Sequence, residues 1–178
     1  MNRLTRRKVS ALCQEIDHVL RPGAQLLPLV ISGVPNFSAG ADLNEIAQLC
    51  GPEALVFAHA GQKLMNLIER YPAPVFAAIS GYCMGGGLDL ALACHRRIAA
   101  PNAIFGHRGA ALGLITGWGG TQRLPRLIGK ARALEMFVAA GKIHAREALR
   151  IGLVAAVAED PVANALQQLP SRVSAFPQ

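Results

Sequence analysis

The chain has 178 residues, enough for one domain with a core of its own. With 52% hydrophobic and 16% charged residues it is not a disordered chain. A net charge of +7 suits a polyanionic ligand, but the basic residues do not interleave with aromatics, so no nucleic-acid binding is expected.

Leu4, Val9, Leu12, Ile16 and Leu20 recur at helical spacing and predict an amphipathic helix over 4–20, broken by Arg21-Pro22-Gly23. Leu27 to Gly33 reads as a buried strand, and Val34 to Asp42 as a loop by composition. Asp42 is placed to cap a helix, with Glu45 three residues on completing a capping box. A longer helix is expected over 54–69, then a second buried strand in "PAPVFAAIS". A helix over about 88–94 follows three consecutive glycines, Gly85, Gly86 and Gly87. "RRIAA" and "AIFGH" read as short strands, and "GLITGWGGTQ" as a loop leading into helices near 122–128 and 131–140. "HAREALRIG" reads as a helix and "LVAAVAE" as a last strand. Strands alternating with helices give an α/β class, and no repeat or low-complexity linker divides the chain.

Residues 75–94 form a long apolar run, but the glycines and Asp89 argue against a membrane span. The N-terminal stretch is basic with no apolar segment and cleavage site behind it, so no signal peptide is expected. Cys13, Cys50, Cys83 and Cys94 have neither CxxC nor metal-ligand spacing. They read as buried thiols of a cytoplasmic protein, with no metal.

Twice the chain passes from an apolar strand through small residues into a helix: "LVISGVPNFSAGADL" and "VFAAISGYCMGGGLDL". A helix N-terminus offers unpaired N–H groups, and small residues allow close approach to the backbone. Two such turns side by side can aim two N–H groups at one carbonyl oxygen, an oxyanion hole. Other glycine motifs do not fit. No lysine follows the glycines as in a P-loop, and after Gly117, Gly119 and Gly120 the third Rossmann glycine position holds Gln122.

Together, "NFSAGADLNEI", "PVFAAISGYCMGGGLDLALAC", "FGHRGAALGLITGWGGTQRLPRLIGKARALEM" and "ALRIGLVAAV" resemble the crotonase superfamily of enoyl-CoA hydratases and isomerases. The resemblance implies a spiral of ββα units. It implies a single domain over 1–178, with the core spiral over about 1–158 and a remnant of the C-terminal helical region over about 159–178. It also implies that an N-terminal pair of strands and most of the C-terminal helices lie outside the chain. Those helices usually build the family trimer, so a homo-oligomer is expected but the trimer is not assured.

On the same resemblance the substrate is an acyl- or enoyl-CoA thioester, with CoA entering as part of the substrate and no separate cofactor. The oxyanion donors carry over to the N–H groups of Ala41 and Gly86. Ala39, Asp42 and Leu43 fall along the CoA path, and Gly117 falls where backbone helps to place the attacking water. Hydratases of the family use two glutamates. The first position matches Asp89, shorter by one methylene, and the second matches Gly109, which has no side chain. Asp89 reads either as the base or as a first-turn charge favoured by the helix dipole. His107, two residues before Gly109, either moves a proton from the same strand face or simply packs. Trp118 either shapes the acyl pocket or packs under its loop. Two functions stand: a thioester-enolate enzyme in which one carboxylate favours isomerisation over hydration, and a weakly active or inactive CoA-thioester-binding or subunit protein.

Overall fold

The structure, a computed structural model, describes residues 2–169. Its main sheet has four parallel strands in the order β2 (Leu29–Ser32), β4 (Val75–Ile79), β6 (Arg96–Ala99) and β9 (Ala156–Val157). A second layer holds the parallel pair β1 (Arg3–Leu4) and β3 (Gly40–Ala41), and the sheet β5 (Tyr82–Met84), β7 (Ile104–Gly106) and β8 (Ile143–His144). A bridge between Ser38 and Cys83 joins these two small sheets.

Each pass of the chain lays one strand in each layer and then a helix. β2 and β3 lead to α2 (Leu43–Ile46) and α3 (Gly51–Glu69). β4 and β5 lead to α4 (Gly86–Ala93). β6 and β7 lead to α5 (Gly120–Ile128) and α6 (Lys130–Val138). This is the spiral of ββα units that the sequence resemblance implies. The first helix, α1 (Arg6–Val19), packs on α3, and α7 (Ala145–Arg150) and α8 (Pro161–Gln167) finish the described chain.

All five residues of β4 are buried, as a continuous apolar run in a covered parallel sheet should be. β2 is different. It sits at the edge of its sheet, and Leu29, Val30 and Ile31 are only half-buried, so the expectation of a buried strand is corrected. Leu4 is corrected too. It lies in β1, because the Thr5 hydroxyl accepts the Lys8 N–H at 3.2 Å and starts α1 at Arg6. Val9, Cys13 and Ile16 then face the core.

Asp42 caps α2 as expected, accepting from the N–H groups of Asn44 and Glu45. The capping box does not close, because Glu45 Oε2 accepts instead from the Arg6 N–H at 2.7 Å and ties α2 to α1. A box forms one helix later. Glu53 Oε2 accepts the Cys50 N–H at 3.0 Å, which starts α3 at Gly51, before the expected Ala54. Cys50 therefore heads a surface helix and is exposed, unlike Cys13, Cys83 and Cys94. The last strand is shorter than "LVAAVAE" suggests. Buried Arg97 secures the approach to it, donating to the carbonyls of Leu153 (2.8 Å) and Cys94 (2.7 Å). Of the expected C-terminal remnant, α8 is described, capped by Asp160, and residues 170–178 lie outside the described residues.

Candidate active site

The two small-residue turns meet. The Ser38 N–H donates to the Tyr82 carbonyl at 2.9 Å, and the Met84 N–H donates to the Ser38 carbonyl at 2.9 Å. The Ser38 hydroxyl also accepts the Gly40 N–H at 3.1 Å and holds the first turn from inside. Each of the glycines has its own reason. Gly85 has φ +51° and open space around it, so the backbone alone demands glycine there. A Cβ on Gly86 would come within 2.5 Å of the Trp118 ring and 3.3 Å of the Ala41 nitrogen. A Cβ on Gly87 would meet Ser38 at 2.7 Å. From the other turn, a Cβ on Gly40 would sit 2.6 Å from the Met84 carbonyl oxygen and 3.0 Å from the Gly86 nitrogen. The amides of Ala41 and Gly86 are thus brought side by side, and Gly86 is the first residue of α4, where no intrahelical acceptor exists for its N–H.

The other residues of the first turn are anchored. The Ala39 N–H donates to the Asn2 carbonyl at 2.7 Å, and the Asp42 N–H to the Leu4 carbonyl at 3.3 Å. The Asp42 carboxylate pairs with Arg3 at 3.3 Å, while Leu43 is largely exposed.

Asp89 lies in the first turn of α4 and is 1% exposed. Its Oδ2 accepts a short hydrogen bond from the Thr116 hydroxyl. Its Oδ1 lies against the backbone of Gly120, where a Cβ would be 2.1 Å away, so only glycine leaves room for the carboxyl. Burial raises the Asp89 carboxyl to about 7, against the opposing effects of the Thr116 hydroxyl, the Arg123 charge and the Gly120 N–H. His107 is 3% exposed, with Nε2 3.5 Å from Asp89 Oδ1. Burial lowers its imidazole to about 4.

β7 ends at Gly106, so His107 and Gly109 do not share a strand face. Gly109 has helical backbone, φ −57° and ψ −44°, ahead of a short 3-10 turn over Ala110–Leu112. A Cβ there would lie 2.6 Å from the Leu114 carbonyl oxygen. His107, rather than position 109, is what lies against Asp89.

Trp118 is 5% exposed and packs edge-on to Phe57, with ring centroids 5.2 Å apart at 82°. Its indole fills the space that Cβ atoms on Gly61 and Gly86 would occupy, so it packs under its loop and borders the Gly86 turn at once. Gln62 donates to the Gly117 carbonyl at 2.8 Å. Arg123 reaches from α5 to Glu69 (2.7 Å) and Asn66 (3.0 Å), binding that loop to α3. A polar cleft of about 460 Å³ between α3 and α5 reaches Thr116 and Gly117 but not Ala41, Gly86 or Asp89. Backbone convergence therefore locates the candidate site better than the cleft does.

The structure thus brings the Ala41 and Gly86 amides together through β3 and α4. Asp89 lies in the first turn of that same helix, and Gly117 sits between Thr116, which bonds Asp89, and Trp118, which borders Gly86. Sequence reasoning missed Thr116 and Gly120 as partners of Asp89, and Gly61 as the seat of Trp118. A lone glycine inside the long helix α3 was the one available signal for Gly61. Cys83 and Cys94 are excluded as nucleophiles: both are fully buried, and burial pushes Cys94 up to about 12 and Cys83 well above its ordinary value. Among the described residues no helix is long and apolar enough to cross a membrane, and no group of three or more His, Cys, Asp or Glu is placed to hold a metal ion.

The sequence profile of the enoyl-CoA hydratase/isomerase family matches residues 2–173. A crotonyl-CoA hydratase of Syntrophomonas wolfei is 47% identical over 133 residues, 75% of this chain and 51% of the relative. A probable enoyl-CoA hydratase of Bacillus subtilis is 50% identical over 125 residues, 70% of this chain and 48% of the relative. The chain spans about half the length of these curated relatives. Among solved structures, Pseudomonas aeruginosa DspI superposes with a TM-score of 0.87 at 37% identity, covering 93% of this chain and 64% of that one. An enoyl-CoA hydratase of Bacillus anthracis gives 0.85 at 35%, covering 92% and 65%. The ββα spiral, the paired turns and these matches agree, and the chain belongs to the enoyl-CoA hydratase/isomerase family.

Proposed function

We propose that the chain acts on an acyl- or enoyl-CoA thioester, with the N–H groups of Ala41 and Gly86 on the thioester oxygen and Asp89 exchanging a proton with the substrate carbon chain. The observation that carries this reading is the contact of the two turns, with the Ala41 amide 3.3 Å from where a Gly86 Cβ would stand. When a base removes the proton alpha to the carbonyl, the C–H electron pair moves into the enolate and negative charge grows on the thioester oxygen. Two fixed N–H dipoles stabilise that charge without reorganising, and one such donor is worth roughly 2.7–4 kcal/mol.

Asp89 takes the proton and returns it, either to the same carbon or further along the chain. Returned further along, it moves the double bond, so isomerisation needs no second acid. Hydration needs a second group to activate water, and Gly109 offers none. CoA enters as part of the substrate, and no separate cofactor is involved. Ala39, Asp42 and Leu43 border the CoA path, and the Gly117 backbone borders the acyl end. Leu134 (62% exposed) and Val138 (70% exposed) on α6 leave apolar surface that supports a homo-oligomer.

A specific observation favours a second reading, a binding or subunit protein without turnover: position 109 carries no acid, and the Leu114 carbonyl fills the space beside it. Solvent-deuterium exchange into the alpha position of butyryl-CoA decides between them. Exchange that depends on Asp89 supports the enzyme. Binding without exchange leaves the binding protein, and the absence of both refutes the thioester reading.

A further inference from the structure

We propose that His107 is the positioning residue of Asp89, its Nε2 sharing one proton with Asp89 Oδ1 and thereby fixing the carboxyl that faces the thioester. The inference rests on the role of Asp89 given above. Two observations carry it. Asp89 Oδ1 and His107 Nε2 are both buried polar atoms without a hydrogen-bond partner, and they face each other at 3.5 Å. An unpartnered buried polar atom costs roughly 1–3 kcal/mol, so one proton between the two relieves both at the cost of a small closing movement.

The rest of the enclosure leaves His107 as the natural partner. Thr116 already occupies Oδ2. Gly120 brings only its backbone to Oδ1, and its N–H acts on the carboxyl without closing a hydrogen bond to that oxygen. From α5 the charge acting on Asp89 is Arg123, which is itself committed to Glu69 at 2.7 Å. From β5 the neighbour is Cys83, a thiol that burial keeps neutral. On the far side of the imidazole, Phe137 of α6 packs with ring centroids 5.1 Å apart and holds the ring in place. Thr116 fixes one carboxyl oxygen, so the other is the one free to trade a proton. It has two lone pairs, one for His107 and one for the substrate.

In the proton-transfer step the substrate C–H bond breaks and an O–H bond forms on Oδ1. The imidazole stays neutral: its Nε2–H donates to one lone pair of Oδ1 while the substrate proton bonds to the other. When the proton returns to carbon, that O–H bond breaks and the carboxylate is restored with the imidazole tautomer unchanged. No oxidant or further reactant is consumed.

The experiment compares the parent with His107→Gln and His107→Phe. Gln keeps an amide near the Nε2 position, whereas Phe keeps the ring volume alone. Two readouts are taken: the ¹³C titration of the Asp89 carboxyl, and deuterium exchange into butyryl-CoA resolved into kcat and KM. His107→Phe should move the Asp89 midpoint by about one pH unit or more. It should lower kcat by about 10- to 100-fold, the loss of a hydrogen bond to a charged group, with KM unchanged. His107→Gln should stay close to the parent in both. A Phe variant that titrates and exchanges like the parent overturns the inference, as does a Gln variant as impaired as Phe. A midpoint that follows residue 107 in a chain that binds no thioester would keep the pair and overturn the functional reading instead.

Discussion

The Trp118 indole stands where a side chain on Gly86 would have to go, 2.5 Å from an ideal Cβ. The same ring lies 2.1 Å from a Cβ on Gly61. One aromatic side chain therefore forbids substitution at two glycines 25 positions apart and keeps the α4 N-terminus bare. Gly86→Ala should cost about 1–3 kcal/mol of stability, the range for overpacking a tight core. Trp118→Ala alone should cost about 3–5 kcal/mol. In the Trp118→Ala background the added methyl at position 86 has room, so the double variant should be more stable than the two losses summed. Urea unfolding of the four proteins measures this. Additive losses would show that the ring does not hold position 86.

Gly85 and Gly87 should fail for different reasons. Gly85→Ala forces a side chain into φ +51°, ψ −121° with nothing in the way, an intrinsic backbone cost of about 1–3 kcal/mol. Gly87→Ala meets the Ser38 side chain and also its carbonyl at 2.8 Å, so Ser38→Ala cannot relieve it. Thermal unfolding should show both variants destabilised, with no rescue of Gly87→Ala by Ser38→Ala. Full rescue would mean that the two turns are less tightly apposed.

Restoring an acid at position 109 should not produce a hydratase. A Cβ on Gly109 would stand 2.6 Å from the Leu114 carbonyl, so Gly109→Glu and Gly109→Ala should both lose about 1–3 kcal/mol. Hydration of crotonyl-CoA should not rise in the Glu variant. A folded Gly109→Glu protein that hydrates faster than the parent would show that the loop rearranges readily and places the new carboxylate by the substrate.

Asp89 and His107 should give opposite pH dependence. The Asp89 carboxyl stands at about 7 in the folded chain against 3.8 ordinarily, so the folded state holds a proton that the unfolded state releases. Its contribution to stability falls as pH rises from about 4 to about 7. His107 stands at about 4 against 6.5, so the unfolded state holds the extra proton, and stability falls as pH drops from 6.5 towards 4. In the parent the two slopes, each at most about 1.4 kcal/mol per pH unit, largely offset. Asp89→Asn should lose stability on acidification through that window, and His107→Gln should gain it. Denaturant midpoints between pH 4 and 7.5 test this. Slopes of the same sign in the two variants would contradict it.

What the sequence made legible was local or repeated. The helix α1 showed in its apolar spacing, β4 in its unbroken apolar run, and the paired turns in their glycines. β1, β3, β5 and β8 are two or three residues long and exist only because another strand lies beside them, so no pattern announces them. Glu45 left its expected capping partner for the Arg6 N–H, a contact 39 positions away. Within the candidate site, Ala41, Gly86 and Asp89 were singled out through family resemblance. Thr116, 27 residues beyond Asp89, was not, because nothing in "LITGW" signals that its hydroxyl closes over a buried acid. His107 had two readings in the sequence, a proton carrier or a packed ring, and only the end of β7 at Gly106 shows that its imidazole lies against Asp89.

The carbonyl stretch of a bound thioester reports most directly whether the Ala41 and Gly86 amides hold its oxygen. Difference infrared spectra of butyryl-CoA labelled with ¹³C at the thioester carbon should show the carbonyl band at lower frequency when bound, as two hydrogen bonds polarise it. Proline is tolerated at the first position of a helix and removes its N–H. Trp118→Ala should therefore keep most of the displacement, and Trp118→Ala with Gly86→Pro should lose much of it. A bound thioester whose carbonyl band stays at its solution position in the parent would contradict the account.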